Sequence, residues 1–491
     1  MRLQLLAVGL LLCPAIAVTQ QATPATLSLA DALALAREHN PNYRQALNNR
    51  APAAWAVRGA FTNLVLPNVT ASGGMSYTGP GEQRFLASSF SQSVSTVSSY
   101  YNLGLDWQLS GSTLSQPGLQ KAQQHATEAD IEGAARGLET AVTQQYLSVL
   151  QARENAAVAR KQVERNEEFL KLAQARYDVG QATLIDVRQA QVARGQAQVG
   201  MLRAETFVNV EKLRLFEQLG VTAPVDVRAV ALTDSFAVAA PRWQLDEMLT
   251  IAEDQNPSLR ALRARERAAA WGARAATSSY APTVSLSAGW SGFTQQFTDV
   301  DPLILSGQAQ YAGAYSQCQS TDSVRTGAGL APLGCTQYVW GSADEQALRD
   351  RNSVFPLDFT RQPFQARLNI SLPLFTNFSR AQQVSEARAR HRDLEESVRA
   401  RGLAVQTEVS QAFLTLQTAY AAVMIQDTSR GAAAEQLQLA TERYRVGSGT
   451  FFELLDAQVA ALRAEYDYVN AVYDYHKTLA TLEAAVGRSL R

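Results

Sequence analysis

Histidine and cysteine are scarce in this sequence, with four and three among 491 residues. So few nitrogen and sulfur ligands leave little material for a metal centre. An excess of one charge is also missing, because 44 Lys+Arg stand against 45 Asp+Glu for a formal net charge of −1. That balance gives no support to a general nucleic-acid binder or a polybasic membrane-surface protein. Beyond the N-terminal segment no stretch approaches the ~20 apolar residues of a membrane-spanning helix, so the expected chain is either soluble or a β-barrel. Catalytic signatures are lacking too: there is no Gly-x4-Gly-Lys-Ser/Thr phosphate loop, no HExxH, no CxxC and no Gly-x-Ser-x-Gly elbow after a strand. His39, His125, His391 and His476 are scattered and read as surface residues of helices. Neither an enzyme nor a cofactor is expected. The 46% apolar content in turn excludes wholesale disorder.

The first 17 residues read as a secretory signal peptide. Arg2 supplies a basic start, Leu5 to Val18 is apolar apart from Pro14, and Ala15-Ile16-Ala17 is a cleavage site. Cys13 does not fit a lipoprotein cysteine, since Leu12 precedes it and Pro14 follows it. Cleavage leaves Cys318 and Cys335, and an even pair in an exported chain suggests a disulfide. Such a bond would restrain a roughly 17-residue loop by about 3 kcal/mol.

The remainder contains an internal duplication. Arg176-Tyr177-Asp178-Val179-Gly180-Gln181-Ala182-Thr183 recurs 267 residues later as Arg443-Tyr444-Arg445-Val446-Gly447-Ser448-Gly449-Thr450. At an offset of 216, Leu29, Leu33, Asn40-Pro41, Trp55 and Arg58 answer to Leu245, Leu249, Asn256-Pro257, Trp271 and Arg274. The organisation is a first repeat over 18–220, a linker over 221–242 and a second repeat over 243–491. Each repeat reads helix, strand, loop, strand and long helical hairpin. Proline is absent from Gly118 to Ala223 and from Leu374 to Arg491, and both stretches are rich in helix formers. A helix from Leu119 to Tyr177 would run roughly 90 Å at ~1.5 Å per residue, so these helices are expected to pack side by side.

Four segments alternate with period two. Val69, Ala71, Met75 and Tyr77 define a strand near 68–78; Tyr101, Leu103, Leu105, Trp107 and Leu109 one near 100–110. Val284, Leu286, Ala288 and Trp290 define a third near 283–292, and Phe364, Ala366, Leu368, Ile370, Leu372 and Leu374 a fourth near 364–374. A soluble, half-buried sheet is the competing reading of any one of them. Four such strands of about ten residues, with aromatic ends, in an exported chain fit tilted bilayer-crossing strands. Four strands cannot close a membrane barrel, and open edges are not tolerated in lipid, so several copies must share one. The first strand pair is joined by 79–98 and the second by a long loop, 293–363, which holds both cysteines.

Taken together, the signal peptide, the duplicated Asn-Pro helices, the four strands and the two Arg-Tyr-x-Val-Gly-x-x-Thr-x-x-Asp/Glu tips resemble the TolC-like outer-membrane efflux and secretion duct family. The resemblance implies an α+β membrane protein: a trimeric β-barrel with four strands per protomer, continued by a long periplasmic α-helical barrel. It also implies a homotrimer in outer-membrane lipid, partnered by a periplasmic adaptor and an inner-membrane pump of RND, MFS or ABC type.

At the tips, near 178–186 and 445–453, Gly180 and Gly447 end the incoming helices, where positive φ favours glycine. Thr183 and Thr450 cap the outgoing helices, with Asp186 and Glu453 at N3 as capping boxes. By resemblance, Glu453 and Asp456 align with the acidic rings of a periplasmic constriction, Tyr444 with a gate tyrosine, and Asp186 joins that gate group. In a trimer such carboxylates would raise one another's pKa. Gly449 stands where the family's best-known pattern has an arginine, so closure must be weaker or built differently. Val179, Leu184, Ile185, Val446, Phe451 and Phe452 make the tips apolar, either to pack neighbouring hairpins or to contact an adaptor. The expected docking set is Val179, Gly180, Thr183, Val446, Gly447 and Thr450. The function implied is a passive exit duct for small compounds. Type I protein secretion is the alternative, and a helical spacer or adhesin the alternative from another class.

Overall fold

The computed structural model describes residues 26–84, 90–360 and 362–490, so the signal-peptide reading at 1–17 lies outside the described residues. In chain order the elements are β1 (Thr26–Leu27), α1 (Leu29–His39), α2 (Pro41–Asn48), α3 (Arg50–Val65), β2 (Asn68–Thr78), β3 (Gly81–Arg84), β4 (Phe90–Ser93), β5 (Thr96–Leu109), α4 (Gly111–Asp178) and α5 (Leu184–Leu219). There follow β6 (Ala231–Leu232), α6 (Leu245–Gln255), α7 (Pro257–Thr277), β7 (Thr283–Phe297), α8 (Asp301–Gly327), α9 (Ser342–Arg351), β8 (Gln365–Ser371), α10 (Ser379–Val446) and α11 (Phe451–Val486). The described residues form two compact units, one within 26–55, 121–269 and 390–490, the other within 56–120 and 270–389.

In the first unit the duplication is visible residue by residue. Helices α4 and α10 are both 68 residues long, and α5 and α11 are both 36. One core gathers Ala36, Leu138, Val142, Tyr146, Val149, Leu215 and Leu219. The other gathers Ala252, Val405, Val409, Phe413, Leu416, Leu482 and Val486, which are the same positions one repeat on.

The Asn-Pro pair serves as a joint. Asn40 is the N-cap of α2, accepting from the Tyr43 N–H at 3.0 Å, while its Nδ2 donates to the Gln218 carbonyl in the last turn of α5 at 2.8 Å. Asn256 does the same, accepting from Leu259 N–H at 3.2 Å and donating to the Ala485 carbonyl of α11 at 2.9 Å. Gly220 and Gly487 then leave those helices with φ of +75° and +82°. A Cβ on either would lie 2.6 Å from a backbone oxygen, of His39 or of Gln255. Glycine is required twice over, by conformation and by space.

The linker 221–242 is more ordered than its composition suggests. Its β6 pairs in parallel with β1, and Val230 and Leu232 enter the first core. Asp234 accepts from the Leu29 N–H at 2.6 Å and lies 2.8 Å from the Tyr146 hydroxyl. Burial, then that carboxylate, pushes the Tyr146 phenol far above its ordinary range.

The second unit holds an antiparallel sheet of order β2-β5-β7-β8. Register places the alternating apolar residues in common rows, such as Val69–Leu105–Ala288–Ala366 and Leu109–Val284–Ile370. Trp290 and Phe364 extend another row, with ring centroids 4.8 Å apart. The opposite face carries Asn, Ser, Thr, Gln and Gly, with Tyr100, Phe293 and Phe297 toward the loop end, and its one acid and one base, Asp106 and Arg367, fall in the row Asn68–Asp106–Ser287–Arg367. Among the described residues, strands β2 and β8 leave their outer edges unpaired.

Several boundaries differ from the sequence expectation. Strand β5 starts at Thr96 and β7 runs to Phe297, while β8 stops at Ser371 because Pro373 has no N–H to give a ladder. Segment 79–98 contains the hairpin β3–β4. The long loop 293–363 is largely helical, formed by α8 and α9, and Cys318 and Cys335 are joined there by a disulfide. Helix α4 begins at Gly111 instead of Leu119, with Pro117 inside it. So near a helix start proline sacrifices a single intrahelical bond, and Ser110 Oγ accepts from the Thr113 N–H at 3.2 Å. Gly118 follows because a Cβ there would lie 2.8 Å from the Trp271 ring.

The joint makes a direct prediction. Asn256→Ala should lower stability by about 1–2 kcal/mol, through a lost cap and an orphaned helix-end carbonyl. Gly487→Ala should cost more, since a backbone must move. Thermal unfolding of the purified protein reads both, and an unchanged midpoint in Gly487→Ala would remove the joint from the account.

Candidate functional site at the hairpin tips

Each hairpin reverses direction through the same local chemistry. In the first, Gly180 adopts φ +77°, its N–H donates to the Tyr177 carbonyl at 2.9 Å, and the Gln181 N–H donates to the Arg176 carbonyl at 2.8 Å. In the second, Gly447 adopts φ +84°, with Gly447 N–H to Tyr444 carbonyl at 3.2 Å and Ser448 N–H to Arg443 carbonyl at 2.9 Å. These bonds satisfy the last carbonyls of α4 and α10.

The outgoing helices are capped unequally. Thr183 and Asp186 exchange both bonds of a capping box, at 3.3 Å and 2.9 Å. Thr450 accepts from the Glu453 N–H at 3.2 Å, but Glu453 does not return the bond. Its carboxylate lies 3.8 Å from Arg443, which explains the half-formed box: the neighbouring guanidinium competes for the side chain. The expected second capping box is therefore corrected to a single cap.

Between the hairpins lies a small core of Phe169, Ala173, Val187, Ala190, Tyr444, Phe451 and Leu454. The two repeat tyrosines diverge here: Tyr444 is 2% exposed and Tyr177 40%. Arg176 secures Tyr444 from the other hairpin. Its guanidinium sits 4.5 Å from the ring centroid, donates to the Tyr444 carbonyl, and donates to the Gln181 carbonyl at 3.1 Å. Its repeat counterpart, Arg443, stays on its own hairpin and donates to the Ser448 carbonyl at 3.4 Å. Phe451 meets Tyr444 edge-on at 5.6 Å. The Tyr444 hydroxyl is buried without a hydrogen-bond partner among the described residues. Its phenol is held above the ordinary 10.0, first by burial and then by the Asp186 charge, with Arg176 opposing.

The remaining candidates fall outside this core. Glu453 and Asp456 are exposed on α11. Val179, Val446 and Phe452 are exposed as well, at 69%, 75% and 75%, whereas Phe451 is buried. The six apolar tip residues thus divide between packing and surface. A Cβ at Gly449 would lie 3.0 Å from Arg443 Cβ, so a side chain at this position would displace Arg443. The cross-hairpin residue that the sequence did not single out is Arg176. Its signal was present as the first residue of the repeated tip motif.

A sheet with one apolar face, long paired helices and two capped tips define an outer-membrane channel fold. A family model described as outer membrane efflux protein matches residues 20–221 and 346–488, and the chain belongs to that family. Membership places it in the outer membrane with a periplasmic extension, in a family of channels and not of enzymes. Among solved structures, the outer-membrane channel OprN matches at 19% identity and TM-score 0.68, over 94% of this chain and 89% of that one. The outer membrane protein VceC of Vibrio cholerae matches at 17% identity and TM-score 0.68, over 94% and 97%. The open state of the MtrE channel of Neisseria gonorrhoeae matches at 19% and 0.66, over 94% and 89%. A comparison with curated proteins returned no match.

The tip core predicts two opposite outcomes. Arg176→Ala should loosen the tip by about 1–2 kcal/mol, through the lost cation–π contact and backbone bonds. Tyr444→Phe should be neutral or stabilising, because the hydroxyl it removes is unpaired. The raised phenol favours the neutral form in the fold, so this contribution is complete below the ordinary phenol value and is lost as pH rises through the folded one. Limited proteolysis at the tips should therefore accelerate at alkaline pH in the wild type and less so in Tyr444→Phe. Faster cleavage of Tyr444→Phe at neutral pH would contradict this reading.

Proposed function

We propose that the protein is the outer-membrane exit duct of a tripartite efflux system, a passive conduit for small compounds delivered by an inner-membrane pump through a periplasmic adaptor. The observation that carries this reading is the four-stranded sheet with an apolar face and two unpaired edges, β2 and β8. Exposed backbone N–H and C=O groups cannot face lipid, so copies of the chain close the sheet edge to edge. Three copies give twelve strands, a size compatible with a membrane barrel. The polar face then lines the lumen and the apolar rows face lipid.

At the periplasmic end, Tyr444 and Asp186 belong to the core and cap of the closed tip, and Glu453 and Asp456 supply exposed acidic rings. The exposed Val179 and Val446, held by the turns at Gly180–Thr183 and Gly447–Thr450, form the adaptor-docking surface. Opening in this scheme means separating the two hairpins that Arg176 ties together.

The experiment is oligomeric mass by light scattering in detergent, followed by bilayer recordings. A particle three times the chain mass that conducts ions is expected. Glu453→Ala with Asp456→Ala should weaken block by trivalent cations by about tenfold or more, given the loss of closely spaced carboxylates. A monomer would end the duct reading. Unchanged block in the double variant would end the acidic-ring assignment alone.

A further inference from the structure

His391 and Glu395 stand one turn apart on α10, and Glu266 faces them from α7. The His391 Nε2 lies 2.7 Å from Glu266 Oε1 and 3.8 Å from Glu395 Oε1, and one ligand atom from each residue lies within 4.8 Å of the others. From this geometry we propose a divalent transition-metal site, best suited to Zn²⁺, in which His391, Glu395 and Glu266 are the protein ligands.

Three features of the cluster support it. The spacing is the first. An i,i+4 pair projects from one face of a helix, so His391 and Glu395 can meet one ion, and a third ligand from the adjoining helix completes a face of a tetrahedron. Zinc bonds of ~2.0–2.2 Å place tetrahedral ligand atoms roughly 3.3 Å apart, and the two measured separations bracket that value. Small rotamer adjustments bring these two separations to that value, and the third lies within 4.8 Å. The second is charge. Two carboxylates share one imidazole, and neither has a Lys or Arg partner among the described residues. The adjacent Arg265 is committed to Asp130 at 2.6 Å, and Arg267 Nε donates to the Arg263 carbonyl at 3.3 Å. A dication supplies the missing positive charge. The third is access. Glu266 and His391 are partly buried while Glu395 is exposed, so an ion can enter from solvent and keep a water in its fourth position.

Nε2 becomes available by moving the imidazole proton to Nδ1, a tautomer change that needs no other residue. One nitrogen and two carboxylate oxygens favour zinc over magnesium or calcium, which take oxygen ligands in larger number. The absence of a thiolate among the three argues against a copper(I) site. A bound ion would join α7 to α10 and add binding free energy to the folded state. The sequence expectation that little material exists for a metal centre rested on the counts of histidine and cysteine, and a mixed carboxylate site needs only one histidine.

Untagged full-length mature protein, stripped with a chelator in detergent, is titrated with Zn²⁺ against a chromophoric competitor. One saturable ion per chain is expected, with affinity reduced about 100-fold or more in His391→Ala and about tenfold or more in Glu266→Gln and Glu395→Gln. Zinc should also raise the unfolding temperature of the wild type and not that of His391→Ala. Glu395 is exposed, so Glu395→Gln keeps the test valid if another variant misfolds. The proposal is overturned by wild type that binds no stoichiometric zinc, or by zinc affinity that is equal in all the variants. Neither result bears on the duct reading, which the oligomeric mass and conductance decide separately.

Discussion

The carboxamides of Asn40 and Asn256 each serve two helix ends at once, and the helical unit is arranged around that demand. A helix start leaves N–H groups without partners and a helix end leaves carbonyls without them. Asparagine offers one acceptor and two donors on a short stem, so it can answer both where the ends are brought together. Proline follows because its missing N–H costs nothing at the first helical position. Glycine closes the arrangement because the returning chain passes within van der Waals contact of the other backbone. Each hairpin must therefore return to the joint from which its repeat departs. That requirement fits the equal lengths of α4 and α10, and of α5 and α11.

Having two equal hairpins, the chain uses them unequally. The same Arg-Tyr pair ends α4 and α10, yet the first tyrosine faces outward and the second is enclosed. Arg176 crosses to the other hairpin while Arg443 turns back on its own. Duplication thus supplied matching scaffolds, and small differences at the tips made the pair unequal, with one hairpin tied to the other through Arg176. The Tyr444 hydroxyl, buried without a partner among the described residues, limits how firmly that tie holds, because burying it forfeits a bond to water.

What could be read from the amino-acid order follows the range of the interactions concerned. Glycine at positive φ and threonine caps act within four residues, so both turns were legible. Period-two alternation also foretold the sheet faces, because register carries the alternating apolar residues such as Leu105, Ala288 and Ala366 to the same side. Element ends were less legible, since proline at 117 marked an interruption that a helix start can absorb. The linker and the long loop carry order that local pattern did not announce; tertiary contacts of Val230 and Leu232, and helices α8 and α9, supply it. Cross-hairpin chemistry was beyond reach. Arg176 and Tyr444 are 268 residues apart, and Glu266 and His391 are 125 apart. Phe451 and Phe452 look alike in sequence, and only helical phase sends one inward and the other to solvent.

The polar face of the sheet has a further consequence for what can cross it. Four strands contribute one aspartate and one arginine, in the same row and two strands apart, a separation of roughly 10 Å. That is close to the ~8 Å screening length at physiological ionic strength, so their fields largely cancel a short way from the wall. The rest is hydroxyl, amide and bare backbone, apart from the uncharged rings of Tyr100, Phe293 and Phe297 near the loop end. In the proposed duct, a passage walled in this way is electrically flat, indifferent to whether a solute is an anion, a cation or neutral. Discrimination would then arise elsewhere along that path, with the sheet as plumbing that has no preference.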